Sequence, residues 1–399
     1  MTLSTGVEAA RADRLSRGHL HQVDVVRLLT FGSVIAVHVI AATTPGGSVP
    51  ARGTLMLLHF TRETFFVITG FVLVHSAYRA PGDPRGDRRF DVLAFWRRRY
   101  LLVGVPYLVW SAVYWLQLDH RFTGAGLRAL GHELLTGTAQ YHLYFLLVSL
   151  QVYLAFPLLL ALVRATAHRP WVVLGTSAVL QLLLFWALHD VLPGRAGLPG
   201  WVAAVTPYAE QLLPSYQFYV VAGALAAAHL DALQQWVLRH GRRLVAALVV
   251  GGAATEGVYL AQVAGGATAG HASEVLQPVM VGWTLVVTAC LLAAGLAYAR
   301  RRPSTSAAGT SEAGTSRVSA AVGEGARISF GVFLVHPLVI TVLQQTWPGH
   351  VVGRVPAPAS QALLWVLTVA IGVAVAEVAV RSPLSLPLTG RPSERGSTR

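Results

Sequence analysis

The amino-acid sequence predicts an all-α, polytopic membrane protein of about ten transmembrane helices with both termini in the cytoplasm. Three observations carry that expectation. First, 54% of the 399 residues are hydrophobic and only 12% are charged, with a mean hydropathy of +0.54, whereas an ordinary soluble domain carries roughly 25% charged residues. An ordinary soluble enzyme is excluded. Second, ten apolar runs reach the length of about 20 residues needed to cross a bilayer core. Third, the 31 basic residues, all arginine, are distributed unevenly among the segments that join those runs. The net charge of +13 would suit a nucleic-acid binder, but such a domain displays its basic side chains on a water-facing surface. Here they punctuate apolar runs, so the expected partner is membrane lipid and not nucleic acid.

Residues 1–23 carry Arg11, Arg14 and Arg17 and lack a small-residue cleavage site after a short apolar core, so they read as a cytoplasmic N-terminal tail rather than a removable signal. The spans follow in order from Asp24 to Thr43, Thr54 to Tyr78, Arg99 to Leu118, Tyr141 to Val163 and Trp171 to His189. The second five run from Pro207 to Leu230, Leu244 to Val263, Val275 to Ala299, Arg327 to Thr346 and Ser360 to Val380. Turn residues or arginine clusters bound each one. With the N-terminus inside, 25 of the 31 arginines fall in inner segments and only Arg52, Arg62, Arg121, Arg128, Arg195 and Arg354 fall outside, as positive-inside orientation requires. Residues 24–381 therefore form one ten-span domain, and residues 382–399 a cytoplasmic tail. The segment 303–325, rich in Ser, Thr, Ala and Gly, cannot bury enough apolar surface to order itself and is expected to be a flexible cytoplasmic linker. No repeat of 20 to 50 residues is present, and no inverted similarity between halves suggests a repeat-built transporter. The single cysteine, Cys290, forbids an intramolecular disulfide and a cysteine metal cluster, and no metal site is expected.

An ionisable side chain inside a span costs about 2.5 to 3.5 kcal/mol at mid-bilayer and is a functional candidate by default. Arg27 and His38 are eleven residues apart, about 20° from a common helical face and roughly 16 Å along the axis. One stripe of the first span thus carries an arginine near the cytoplasmic edge and a histidine in its outer half. Asp24, one turn before Arg27, can pair with it. His59 and Glu63 share a face of span two beside Arg62, and Glu63 should lie at the depth of His38. Thr69 and Gly70 place a hydroxyl and a close-packing residue in an aromatic-rich stretch. His142, Glu210, Gln217, Glu256 and His336 complete the set, and Pro337 should free a backbone carbonyl beside His336.

Each candidate has a structural alternative. A lone intramembrane histidine such as His59, His142 or His336 can serve interhelical hydrogen bonding, Arg27 can snorkel to the interface, and Glu256 can be a packing partner. Arg97, Arg98 and Arg99 can fix orientation and meet anionic lipid, or hold the phosphates of a cytosolic donor. Tyr141, Trp171 and Trp201 suit an interfacial belt.

No HExxH, GxSxG, P-loop or paired-cysteine motif occurs, which removes the most easily recognised hydrolases and nucleotide enzymes. What remains is a buried histidine able to act as general base, an arginine on its face, acidic partners and an arginine-rich mouth. That set suits transfer between an anionic cytosolic donor and an acceptor in or across the membrane.

Five stretches, in order, resemble the acyltransferase 3 family of integral-membrane O-acyltransferases over about residues 20 to 380. Val23 to Val39, with Arg27 and His38 in an Arg-x10-His arrangement, is similar to its first span. Phe65-Phe66-Val67-Ile68-Thr69-Gly70-Phe71 resembles its Phe-Phe-x-x-Ser-Gly-Phe signature, with Thr69 in place of Ser. Phe95-Trp96-Arg97-Arg98-Arg99-Tyr100 with Pro106, His142 to Pro157, and Ser329 to Pro337 match later landmarks. The resemblance implies transfer of an acyl group, commonly acetyl from acetyl-CoA, to a hydroxyl of a sugar or similar acceptor, with no bound cofactor. By the same resemblance His38 drives the transfer, Arg27 orients it or binds the donor, and Arg97 to Arg99 attract the donor phosphates. Glu63 joins the catalytic set, with Asp24, Thr69, His142 and His336 supporting it. The expected setting is the cell membrane, and the acceptor a cell-surface glycan, a lipid-linked sugar or a secreted natural product. The rival expectation is a non-catalytic exporter of a polysaccharide intermediate, because intramembrane charges also line transport paths.

Overall fold

The computed structural model describes residues 20–78, 90–117, 122–301, 317–346 and 357–392. Those residues are mainly helical, with no strand, and nine helices among them are long and apolar enough to cross a membrane. The first crossing is α1 (His21–Thr43). The second, Val49–Ala77, is made of α2 (Val49–Leu58) and α3 (Phe60–Ala77), which meet at His59. The third starts earlier than the sequence suggests. Asp91 caps α4 (Val92–Arg99) by accepting from the Ala94 N–H at 2.9 Å, and a π-turn over Tyr100–Gly104 joins it to α5 (Val105–Gln117). The arginine triad thus sits on the helix and not in the loop before it.

An additional helix, α6 (Gly124–Thr136), ends at Gly137, whose φ of 72° permits the sharp reversal into the fourth crossing. A Cβ at Gly137 would lie 2.7 Å from Tyr144 Cα, so the reversal needs glycine for space as well as for φ. The turn delivers Tyr141 and His142 to the head of α7 (Tyr144–Ala165). Helix α8 (Pro170–Trp186) continues into a π-turn over Ala187–Val191.

The sixth expected span is not one helix. After α9 (Gly200–Val205), two tight 3₁₀ turns over Thr206–Gln211 and Leu213–Tyr216 precede α10 (Gln217–Ala228) and α11 (Leu230–Arg239). Pro207 and Pro214 explain the break, since each lacks an N–H and its ring clashes with the preceding turn. Irregular backbone at membrane depth survives only where it is buried in protein or lines a cavity, with its polar groups paired. Here side chains supply the partners. Gln151 donates to the Gln211 carbonyl at 2.7 Å and accepts from the Leu213 N–H at 2.9 Å. Gln181 donates to the Ser215 carbonyl at 3.0 Å, and its oxygen accepts from the Phe218 N–H at 3.2 Å.

The remaining crossings are α12 (Gly241–Ala264) and, after the short α13 (Ala269–Ala272), α14 (Pro278–Arg301), α15 (Arg317–Thr346) and α16 (Ala357–Arg381). Helix α15 is central, with 67% of its apolar window buried, whereas α8 and α12 are peripheral at 17%. Leu158, Val249 and Val378 stay exposed on the perimeter, the face that lipid would cover. Helices α3 and α10 touch backbone to backbone. A Cβ on Gly70 would meet the Val220 carbonyl at 2.1 Å, and one on Gly223 would meet that of Val67 at 1.9 Å, so the close-packing role expected for Gly70 is met.

Two expectations about connecting segments change. The expected linker keeps only residues 303–316 outside the described residues, because α15 is helical from Arg317 onward. Ala320, Ala321, Val322 and Glu324 are compatible with a helix, and Glu324 pairs with Arg327 one turn on. The described part of the expected C-terminal tail, residues 382–392, packs on the bundle through α17 (Ser385–Thr389), where Ser385 is fully buried. Trp110 of α5 donates its indole N–H to the Leu388 carbonyl at 3.2 Å. The loop arginines between Arg79 and Arg89 lie outside the described residues.

Candidate active site

Two cavities lie back to back along the common stripe of α1. The larger, about 440 Å³, is lined by Arg27, Arg98, Arg99, Arg327 and Arg391 together with Thr69 and Tyr153, and none of its described lining residues is acidic. The smaller, about 210 Å³, is lined by His38, His59, Arg62, Tyr141, His142, Tyr144 and Glu210. Phe65 and Phe145 line both. They belong to an aromatic partition that Phe31 and Phe333 complete. The ring centroids of Phe31 and Phe65 are 4.5 Å apart, those of Phe65 and Phe145 5.4 Å, and those of Phe145 and Phe333 5.5 Å, all edge to face. Arg27 and His38 therefore share a face, as their spacing requires, but open on opposite sides of a phenylalanine wall.

The smaller cavity is a histidine site. The His38 ring lies 4.4 Å from that of Tyr141 and stacks at 5.2 Å on that of His336. His336 is fully buried, and its Nδ1 lies 2.6 Å from the carbonyl oxygen of Phe333. Pro337 is the reason. Without an N–H it leaves that carbonyl, four residues back, without its helical donor, and His336 Nδ1–H takes the place. The bond fixes the tautomer, so Nε2 keeps its lone pair, and Nε2 has no hydrogen-bond partner among the described residues. The His142 ring sits 5.2 Å from that of His336 with both nitrogens buried. Three imidazoles thus meet at the head of α7, although only His38 and His142 face the cavity.

Arg62, which the sequence presents only as a neighbour of Glu63, organises the opposite wall. Its Nη1 donates to Glu210 at 2.8 Å and to the Tyr144 hydroxyl at 3.0 Å, and its Nε lies 3.3 Å from Glu63 Oε1. The guanidinium also stands 5.7 Å from the centre of the Tyr144 ring and 5.9 Å from that of Tyr216, within cation–π range. Glu63 is fully buried behind Arg62 and lines neither cavity, so the structure does not bring it to His38. The break at Pro207 and Pro214 delivers Glu210, and no local sequence signal announces that contact.

The larger cavity corrects the arginine cluster in the same way. Arg98 and Arg99 reach it and Arg97 does not, because consecutive helical residues diverge by about 100° each. Arg99 is held over the rings of Phe95 and Tyr153, at 5.7 and 5.6 Å. In place of Arg97 come Arg327, which forms an ion-pair network with Glu324 and Glu377, and Arg391. Gly390 makes the second approach possible: its φ is 66°, and a Cβ there would meet the Leu102 carbonyl at 2.4 Å. The Thr69 hydroxyl is committed to the Phe65 carbonyl at 2.8 Å, so Thr69 shapes this cavity with its methyl group. Asp24 is buried at the start of α1, 3.9 Å from His21 Nδ1.

The model of the acyltransferase domain matches residues 20–378, nearly the whole chain. The chain belongs to the acyltransferase 3 family. This family member is a multi-pass membrane O-acyltransferase, and the exporter reading gives way to an enzyme. No curated protein and no solved structure gives a significant match.

Proposed function

We propose that this O-acyltransferase of the cell membrane takes an acyl group, acetyl first among the candidates, from cytosolic acyl-CoA to a hydroxyl on a cell-surface glycan, a lipid-linked sugar or a secreted natural product. The observation that carries the reading is the pairing of a five-arginine cavity with a histidine cavity across one phenylalanine wall. Several guanidinium groups in a described lining that holds no carboxylate, with Arg327 paired to Glu324 and Glu377 outside it, suit a ligand with several phosphates, since planar forks bind phosphate oxygens two at a time. A thioester arm running from that cavity to Phe65 and Phe145 would present its carbonyl to the side where His38 stands. There His38 accepts the proton of the acceptor hydroxyl, the oxygen attacks the thioester carbon, and the C–S bond breaks as the tetrahedral intermediate collapses. The proton returns to the departing thiolate. Arg62, on the opposite wall of the same cavity, supplies positive charge for the transient oxyanion, and Glu210 and Glu63 hold the guanidinium in place. His336 is a positioning residue that stacks on His38 from behind.

The test uses full-length protein in lipid nanodiscs with radiolabelled acetyl-CoA and extracted envelope glycans, lipid-linked sugars or small polyol products as acceptors. Acceptor-dependent release of CoA thiol with label in the acceptor supports the reading. Failure to consume acetyl-CoA with any acceptor, by protein that binds it, contradicts the proposed donor. Comparing O-acetyl content of surface glycans between a parent and a deletion strain separates the glycan from the other acceptors.

A further inference from the structure

A second group of ionisable side chains comes together away from both cavities, where the π-turn after α8 meets α13. His189 is almost fully buried. Its Nδ1 lies 3.0 Å from Asp190 Oδ1, and its Nε2 lies 3.4 Å from the carbonyl oxygen of His271. The His189 and His271 rings are stacked, with centroids 4.4 Å apart and planes 11° from parallel. His271 Nδ1 in turn lies 3.2 Å from Glu274 Oε1.

This arrangement holds a contradiction for neutral imidazole. Both atoms facing the His189 nitrogens, a carboxylate oxygen and a backbone carbonyl, accept hydrogen bonds, while a neutral ring has one N–H to give. Either tautomer leaves one nitrogen lone pair against an acceptor. A His189 ring with hydrogens on both nitrogens would satisfy the two acceptors, and a cation held at Nε2 is the arrangement that does so with the ring neutral. A bound cation removes the conflict. With Nδ1–H donated to Asp190, His189 offers Nε2 as a ligand, and a carboxylate on the far nitrogen is what a metal-binding histidine ordinarily carries. One ligand atom each from His189, His271 and Glu274 lies within 4.8 Å of the others. Ligand atoms around a tetrahedral zinc stand roughly 3.3 Å apart, given metal bonds of about 2.0 to 2.1 Å. Side-chain rotation closes that difference and must turn the His271 ring out of its parallel stack so that its in-plane lone pair meets that of His189 at one point, which the 36% and 52% exposure of the His271 and Glu274 side chains permits.

We infer that His189, His271 and Glu274 bind a divalent transition metal, with zinc the best match to two imidazoles and a carboxylate, that Asp190 orients His189, and that water completes the coordination. The ligands come from segments 82 residues apart, with none of the spacing that marks a metal motif in sequence. The site has a mechanical consequence for the histidine cavity. Val275, next to Glu274, lines that cavity, and Gln277 ties the same loop together by donating to the Ala272 and Glu274 carbonyls at 3.0 and 2.6 Å. Metal binding would clamp this loop to the end of α8 and hold one wall of the cavity in place.

The experiment uses the full chain, purified in nanodiscs through a tag that contains no histidine and stripped with a chelating resin. It is titrated with zinc by calorimetry and with cobalt by visible absorption. The expected result is one equivalent of zinc bound with submicromolar affinity, and the absorption of four-coordinate cobalt. Asp190→Asn should weaken binding 10- to 100-fold, the range for losing a carboxylate behind a ligating histidine. His271→Ala and Glu274→Gln should abolish stoichiometric binding, and His240→Ala, at a half-buried histidine between α11 and α12, should leave it unchanged. Thermal unfolding of each variant in chelator shows whether it is folded, and Asp190→Asn keeps all three ligands. The inference is overturned if the wild-type chain binds no stoichiometric metal, or if folded His271→Ala and Glu274→Gln bind it as the wild type does.

Discussion

Replacing Gln151 with Met tests whether side chains hold the broken sixth span together. Gln151 projects from α7 and makes two hydrogen bonds to backbone in the break, one to the Gln211 carbonyl at 2.7 Å and one from the Leu213 N–H at 2.9 Å. Methionine has a similar length and volume but can make neither, so the change leaves a half-buried carbonyl and a half-buried N–H without these partners and creates no cavity. A fully buried orphaned group costs about 1 to 3 kcal/mol and these two are half-buried, so Gln151→Met should destabilise the fold by about 1 to 3 kcal/mol in all. Gln151→Glu keeps an acceptor for Leu213 and loses the donor to Gln211. It separates the two contributions, though its buried charge adds a cost of its own. Denaturant-induced unfolding in mixed micelles, followed by tryptophan fluorescence, measures the difference. A functional consequence accompanies it, because the same break places Glu210 on Arg62. Gln151→Met should therefore also weaken acyl transfer in protein that remains folded. If Gln151→Met were as stable as the wild type, the claim that α7 supports the break would be wrong.

Gly223→Ala should destabilise the protein severely, because its Cβ would fall 1.9 Å from the Val67 carbonyl, whereas Gly257→Ala on α12, with nothing within 4 Å, should be tolerated; thermal unfolding of the pair in one detergent distinguishes them. Arg98→Gln and Arg99→Gln should each weaken acetyl-CoA binding by roughly 10- to 100-fold, from the 1.5 to 3 kcal/mol of a hydrogen bond to a charged group, while Arg97→Gln changes it little. Calorimetry with a non-hydrolysable acyl-CoA analogue reads all three. Phe145→Ala should join the two cavities and raise acceptor-independent hydrolysis of acetyl-CoA relative to transfer, seen as free thiol released without label in the acceptor. His336→Ala should lower kcat and leave the donor affinity unchanged, because His336 reaches the reaction only through His38.

Much of the membrane architecture was legible in the sequence, because length, apolarity and arginine placement each report it directly. The stripe joining Arg27 to His38 was also legible, since two residues on one helix are related by the helical repeat alone. What periodicity could not show is how helices meet. Arg62 looked like an outer-segment arginine until α7 and the broken sixth span brought Tyr144 and Glu210 to it. Glu63 shared its short stretch of sequence with the site yet turned behind Arg62 into the core. The same holds at the arginine cavity. Arg97 was counted with its neighbours and faces elsewhere, while Arg391 belongs to a segment that reads as a polar tail and is held in by Gly390 and Trp110. Pro337 gave a local clue that carried through: a missing N–H frees a specific carbonyl, and the adjacent histidine takes it. Pro214 gave an equally local clue, and its place within an apolar run hid the break it causes.

The most direct test of the two-cavity account is His38→Ala in full-length protein in nanodiscs, measured for both acyl-CoA binding and acyl transfer. The account predicts that donor affinity stays within error of the wild type, because His38 lies across the phenylalanine wall from the arginines, while transfer to the acceptor falls by roughly 10²-fold or more, the contribution of a general base. Transfer at the wild-type rate by folded His38→Ala, or loss of donor binding in place of transfer, would contradict it.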